Sequence, residues 1–185
     1  ALLDPVRSDP LLAGRDRLIV VPHKFLHYVP FQALVTGSAQ AGRPHFLVED
    51  YEVTYAPSAS VLKHCIDRAR GRRRTLLALA NAVPRDLRGR ELLYVGEEVQ
   101  AIKRRFGDGA VVRIGRDATE TVVKEEAGKF DLIHFAVHSE VDPRDPLRSY
   151  LDLAASPGDD GRLDVGEVMG LGVDADLVVL SGCST

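Results

Sequence analysis

Leu132-Ile133-His134-Phe135-Ala136-Val137-His138-Ser139 and Leu177-Val178-Val179-Leu180-Ser181-Gly182-Cys183-Ser184-Thr185 are the two stretches on which the fold turns. Each opens as a short run of aliphatic and β-branched residues, the pattern of a strand buried on both faces of a parallel sheet. Each run then stops at a reactive side chain, His138 in the first and Cys183 in the second. Open α/β sheets bind their ligands in the crevice beyond the carboxyl ends of the strands. An imidazole and a thiol delivered there, in that order, predict a cysteine nucleophile with its base.

Outward from these two runs, strands alternate with helices. Thr75 to Ala80 and Ala110 to Ile114 read as further strands, and Val95, Val99, Ile102 and Phe106 recur at helical spacing between them. Asp117 and Glu120 are spaced as the ends of a capping box for a helix through Val122, Val123 and Ala127. A short strand is expected at Tyr150 to Leu153, a turn at Pro157 to Gly161 and a brief helix near Val165 to Met169. Upstream, Ser58 is placed to cap a helix whose stripe of Val61, Leu62, Cys65, Ile66 and Ala69 makes Cys65 a small core residue. The first third reads as strands and turns: Arg17 to Pro22, a segment around Leu26 to Val29, and Phe46 to Val48 with Glu52 to Tyr55 about an acidic turn. Alternating strands and helices require right-handed crossovers. The expected fold is a three-layer α/β/α sandwich with a mostly parallel sheet and an N-terminal antiparallel extension, a hairpin layer at the sheet edge. It is read as one domain, strand-rich over about residues 1–57 and an α/β core over about 58–185.

The 185 residues suffice for a core that needs no disulfide staples, and 45% apolar with 28% charged residues is the balance of a water-soluble globular protein. A net charge of -3 argues against nucleic acid or an anionic membrane as the main partner. The basic stretch Arg68 to Arg74 carries no aromatic residue and reads as a solvated loop. Two cysteines in unrelated contexts fit a reducing cytoplasm. No signal peptide or membrane-length apolar run is visible, and both ends of the chain look cut from something longer.

A thiol attacks a carbonyl as thiolate, so Cys183 needs a base, and His138 is the candidate. The backbone N–H groups of Ser139 and Cys183 are the candidate oxyanion donors, with Gly182 allowing the chain to turn. His134 and His138 stand four apart, but on a strand and without an intervening glutamate, so His134 reads as a core histidine and no metal is expected. Asp142, Asp145, Asp152, Asp159 and Asp160 read mostly as solvated turn residues, one or two of them available to line a pocket for a basic side chain. No cofactor is called for, and no glycine-rich phosphate loop follows any strand.

Taken in order, several pieces resemble the CHAT domains, caspase-like modules usually attached to tetratricopeptide repeats. They include Ile19 to Pro22, Val29-Pro30-Phe31-Gln32-Ala33-Leu34, Glu49 to Ser60, Glu97-Glu98-Val99 and Ala118-Thr119. They continue with His134 to His138, Gly161-Arg162-Leu163 and Leu177 to Thr185. The resemblance implies the caspase–haemoglobinase fold and a Cys/His dyad endopeptidase, with His138 as base and Cys183 as nucleophile 45 residues later. It also implies a protein substrate and regulation by attached or partner domains such as tetratricopeptide repeats. The chain departs from the family pattern at Ser139 (commonly glycine), at Ser184 (often acidic) and at Ser181, where metacaspases carry the aspartate that holds a basic P1 residue. The family also continues past the cysteine with a helix and further strands. The alternative is a catalytically silent member serving as a signalling or scaffolding module.

Overall fold

The computed structural model describes residues 9–40, 43–68, 75–82 and 92–182. Cys183, and with it the N–H expected to serve as an oxyanion donor, lies outside these, as does most of the basic stretch after Arg68. The chain divides into two compact units, residues 1–69 and 70–185.

In the second unit, four parallel strands form the sheet: β5 (Leu76–Ala80), β6 (Ala110–Ile114), β7 (Leu132–Ala136) and β11 (Leu177–Leu180), in the order β11-β7-β5-β6. All five side chains of β5 are buried. Alternation along β5 sorts them by face. Leu76, Ala78 and Ala80 pack with Val95 and Val99 of helix α3 (Val95–Phe106). Leu77 and Leu79 pack with Val123 of α4 (Glu120–Glu126), with Ala127 just beyond it and with Ile133 and Phe135 of β7. One helix therefore covers each face, and the three-layer sandwich is present. A clasp joins the strand starts: Thr75 Oγ1 donates to Asp131 Oδ2 at 2.7 Å, and Leu132 N–H donates to the Thr75 carbonyl at 3.1 Å.

Local chemistry sets the helix ends. Glu97 and Glu98 lie in the first turn of α3, Lys103, Arg104 and Arg105 in the last, matching the helix dipole, and Gly107 closes it at φ 65°. The α4 cap is Thr119, whose Oγ1 accepts from Val122 N–H at 3.2 Å, rather than Asp117. Glu120 is instead buried, its Oε2 accepting from Gly161 N–H at 2.8 Å.

Past Val137, which is buried, the chain enters a second, antiparallel sheet of β8 (His138–Glu140), β9 (Tyr150–Asp152) and β10 (Arg162–Asp164), with β9 in the middle. Helix α5 (Val165–Gly170) follows with a reciprocal capping box between Asp164 and Glu167. The β10 strand was not expected from sequence.

The first unit holds a parallel pair, β1 (Arg17–Val20) with β4 (Glu52–Tyr55), and the antiparallel pair β2 (Val35–Gln40) with β3 (Arg43–Phe46). Thus the antiparallel element is present, but β1 and β4 run in parallel. Residues Lys24–Tyr28 form a 3-10 turn where a short strand was expected, and α1 (Leu47–Asp50) occupies part of the other predicted strand. Ser58 does cap α2 (Ala59–Arg68), its Oγ accepting from Val61 N–H at 3.1 Å. The apolar stripe of α2 is not core, however. Cys65 is exposed, and Ile66 is 62% exposed, so the small-core-residue reading of Cys65 is corrected.

One cation gathers three segments of the second unit. Lys124 Nζ lies 2.6 Å from Glu120, 2.8 Å from Asp159 and 2.9 Å from Glu167. Bonds to Asp159 first, then to Glu120 and Glu167, hold the ammonium well above its ordinary pKa. The Lys124 bond, aided by the Thr121 hydroxyl, holds Asp159 below the usual carboxylate range, whereas burial pushes Glu120 up. Lys124→Met strands these carboxylates and should lower stability by about 2 kcal/mol, less than for a fully buried pair, as read by urea unfolding. Because Asp159 is depressed in the folded state, its contribution is complete above the unfolded carboxylate value near pH 4. It is lost as pH falls through the folded value, so Asp159→Asn should flatten the acid limb of the stability curve.

Candidate active site

His138 stands where the two sheets of the second unit meet. It follows the carboxyl end of β7 by two residues and opens β8, with Val137 as the joint. Its side chain is half-buried, and Nε2 is shielded from solvent with no hydrogen-bond partner. Buried polar side-chain atoms are nearly always partnered, so an orphaned imidazole nitrogen at a sheet rim calls for a reason.

The strand that carries Cys183 in sequence is the immediate neighbour. β11 pairs in parallel with β7, Val179 beside His134 and Leu180 beside Phe135, and Ser181 N–H donates to the Phe135 carbonyl at 2.7 Å. Leu180 and Phe135 each precede their reactive residue by three positions. His134 takes the core role expected of it. It is buried on the α3 side of the sheet, its Nε2 2.8 Å from Glu98 Oε1. Among the described residues no group of three or more histidine, cysteine or acidic side chains is placed to hold a metal.

The antiparallel sheet has two unlike faces. Register sets His138 opposite Asp152 and Asp152 opposite Arg162, and likewise aligns Glu140, Tyr150 and Asp164. These six polar residues share one face. Tyr150 OH donates to Glu140 Oε2 at 2.7 Å, and the Arg162 guanidinium lies 4.9 Å from the centre of the Tyr150 ring. Burial, reinforced by the bond to Glu140, pushes the Tyr150 phenol up to about 12. A polar cavity of about 540 Å³ is lined by Glu140, Tyr150, Arg162 and Asp164 together with Lys124 and Arg148. Ser139, Leu151 and Leu163 occupy the intervening positions and line an apolar cavity of about 380 Å³ with Phe135, Val178 and Leu180.

Of the acidic residues expected in turns, Asp142 caps its own turn. Its Oδ1 accepts from Asp145 and Arg144 N–H, and these bonds lower its pKa. Asp145 caps the next turn through Leu147 N–H, and Asp160 accepts from Arg162 N–H. Asp159 and Asp160 do line the polar cavity. Asp152 is the exception: it is a strand residue, 7% exposed.

Sequence reasoning also passed over Asn81. It directly follows β5, is buried, and spans both sheets: its N–H donates to the Ala136 carbonyl at 3.1 Å and its Nδ2 to the Asp152 carbonyl at 3.3 Å. A small amide one residue past an apolar strand was the available signal.

A doubly covered parallel sheet whose rim carries a histidine beside the strand leading to a cysteine defines an α/β protein of caspase-like architecture. Compared with models of known protein families, residues 1–185 match the CHAT domain, and the chain belongs to that caspase-like, peptidase-related family. No curated protein matches it. No helix among the described residues is long and apolar enough to cross a membrane.

Asn81→Ala removes one buried side-chain hydrogen bond and should cost about 1 kcal/mol in urea unfolding. Asn81→Asp, which sets an acceptor against the Asp152 carbonyl, should cost more than Asn81→Ala; an Asn81→Ala variant as stable as the wild type would mean that the Nδ2 bond contributes nothing.

Proposed function

We propose that the chain is a caspase-like cysteine endopeptidase domain acting on a protein substrate, with Cys183 as nucleophile and His138 as general base and acid. The observation that carries this reading is the buried, unpartnered Nε2 of His138 at the rim next to β11. A sulfur at the end of that strand would give the imidazole the partner it lacks.

In this mechanism the thiol proton passes to the imidazole, and the thiolate forms a bond to the scissile carbonyl carbon. The oxyanion is held by the N–H groups of Ser139 and Cys183. The carbon–nitrogen bond breaks as the imidazolium returns its proton to the leaving amine. Water, deprotonated by the same imidazole, then attacks the thioester, and the thiol regains its proton as the acid product leaves. Membership of the CHAT family supports control by attached or partner domains such as tetratricopeptide repeats, in a cytoplasmic setting where the thiol stays reduced.

The test is labelling of the full-length protein with a peptidyl electrophile. Cys183→Ala should abolish the label, and His138→Ala should slow it by about 10²- to 10⁴-fold, the usual worth of a positioned base. Labelling of Cys183 that is indifferent to His138 would sink the peptidase reading and favour a scaffold that keeps the residues without using them.

A further inference from the structure

Resting on the dyad reading above, we infer that the apolar cavity beside Ser139 is the specificity pocket of the site. It takes a large uncharged side chain, such as leucine, methionine or phenylalanine, from the substrate residue before the scissile bond (P1). The two segments that deliver the base and the nucleophile also build this cavity. Ser139, next to His138 and proposed to hold the oxyanion through its N–H, lies on the apolar face of β8 and lines it. Val178 and Leu180 of β11, which leads to Cys183, line it as well. They stand beside Ile133 and Phe135 on one face of the large sheet. An acyl group whose oxygen is held at Ser139 N–H, and whose carbon is attacked from the end of β11, therefore carries its side chain to the mouth of this cavity.

Shape and charge select the occupant. Buried Ile133, Phe135 and Leu163 form the floor, whereas Val168, Val178 and Leu180 are exposed at the rim, so the cavity opens to solvent. Exposed apolar residues gathered about one opening mark a binding surface. Its volume of about 380 Å³ is at the small end of ligand pockets, about 300–1,000 Å³, and suits one large side chain. The polar groups on its border are already engaged. Glu140 Oε2 accepts from Tyr150 OH at 2.7 Å, and both residues belong to the opposite, polar face of the small sheet. Ser149 Oγ accepts from Asp142 N–H at 3.1 Å. A charged side chain entering here would lose its water without gaining an ion partner, which is costly, whereas an apolar one gains by the same transfer.

The experiment labels the full-length protein with peptidyl acyloxymethyl ketones that differ only at P1, carrying leucine, alanine, arginine or aspartate, and follows Cys183 by peptide mass spectrometry. The leucine probe should react at least about tenfold faster than the alanine probe, the worth of a methylene in a fitted apolar pocket, and faster than either charged probe. Val168→Trp, which crowds the rim, should bring the leucine-to-alanine rate ratio toward one; a ratio cancels any general loss of reactivity. Val178→Asp, which sets a carboxylate in the wall, should raise the arginine-to-leucine ratio by about tenfold. A wild-type protein fastest with arginine or aspartate sends the side chain to the polar cavity on the other face and overturns the proposal. So do ratios that neither folded variant moves, since the cavity is then covered by another segment of the chain or by a partner. If circular dichroism shows that neither variant folds, the wild-type ranking decides, and only leucine first sustains the pocket. His138→Ala separates the two readings: labelling indifferent to His138 removes the dyad and the pocket's role together. Labelling that needs His138 but shows no leucine preference removes the pocket alone.

Discussion

The pairing of β5 with β7 is the constraint from which the site follows. β5 is buried on both faces, so it tolerates only apolar side chains, and register locks each of them to a level of β7 from Leu76–Leu132 to Ala80–Ala136. A slip of one residue would turn Ile133 and Phe135 out of their cluster and drive His134 in among them. The Glu98 carboxyl opposes the same slip from the α3 side by holding the one polar side chain within β7. With register pinned, His138 emerges at a fixed height on the rim, and Asn81, one residue past β5, meets both β7 and β9 there.

The strongly apolar runs were legible because burial on two faces leaves little freedom of composition. The strands from Leu76, Ala110, Leu132 and Leu177 and the helix bearing Val95, Val99, Ile102 and Phe106 could be read from residue type and period alone. So could the Ser58 cap, where the side-chain oxygen is itself the local signal. The segment around Leu26 was misread because its apolar residues suit a 3-10 turn as well as a strand. Preferring Asp117 to Thr119 as a cap was a choice between two good cap residues that only the helix start resolves. Cys65 shows the limit of periodicity: a helical apolar stripe says which residues share a face, not what lies opposite.

The candidate site was half legible. His138 and Cys183 announce themselves by ending apolar runs, whereas His134 lies inside its run and reads as a core residue. Asp152 was placed among the solvated turn acids because one aspartate resembles another in sequence. Its burial comes from the pairing of β9 with β8 and β10, a long-range fact with no local signature. The same pairing sorts Glu140, Tyr150, Arg162 and Asp164 onto the face of His138, although they are scattered over two dozen positions.

The bend at Val137 divides allegiance along a single chain. Val137 is packed in the core beneath the parallel sheet, yet the next residue is hydrogen-bonded into a different, smaller sheet whose polar face borders an open cavity. His138 therefore takes its backbone pairing from the small sheet, while the residue before it belongs to the packing of the large one. A single peptide step carries the chain from a position where only an apolar side chain fits to one where an imidazole stands among polar neighbours.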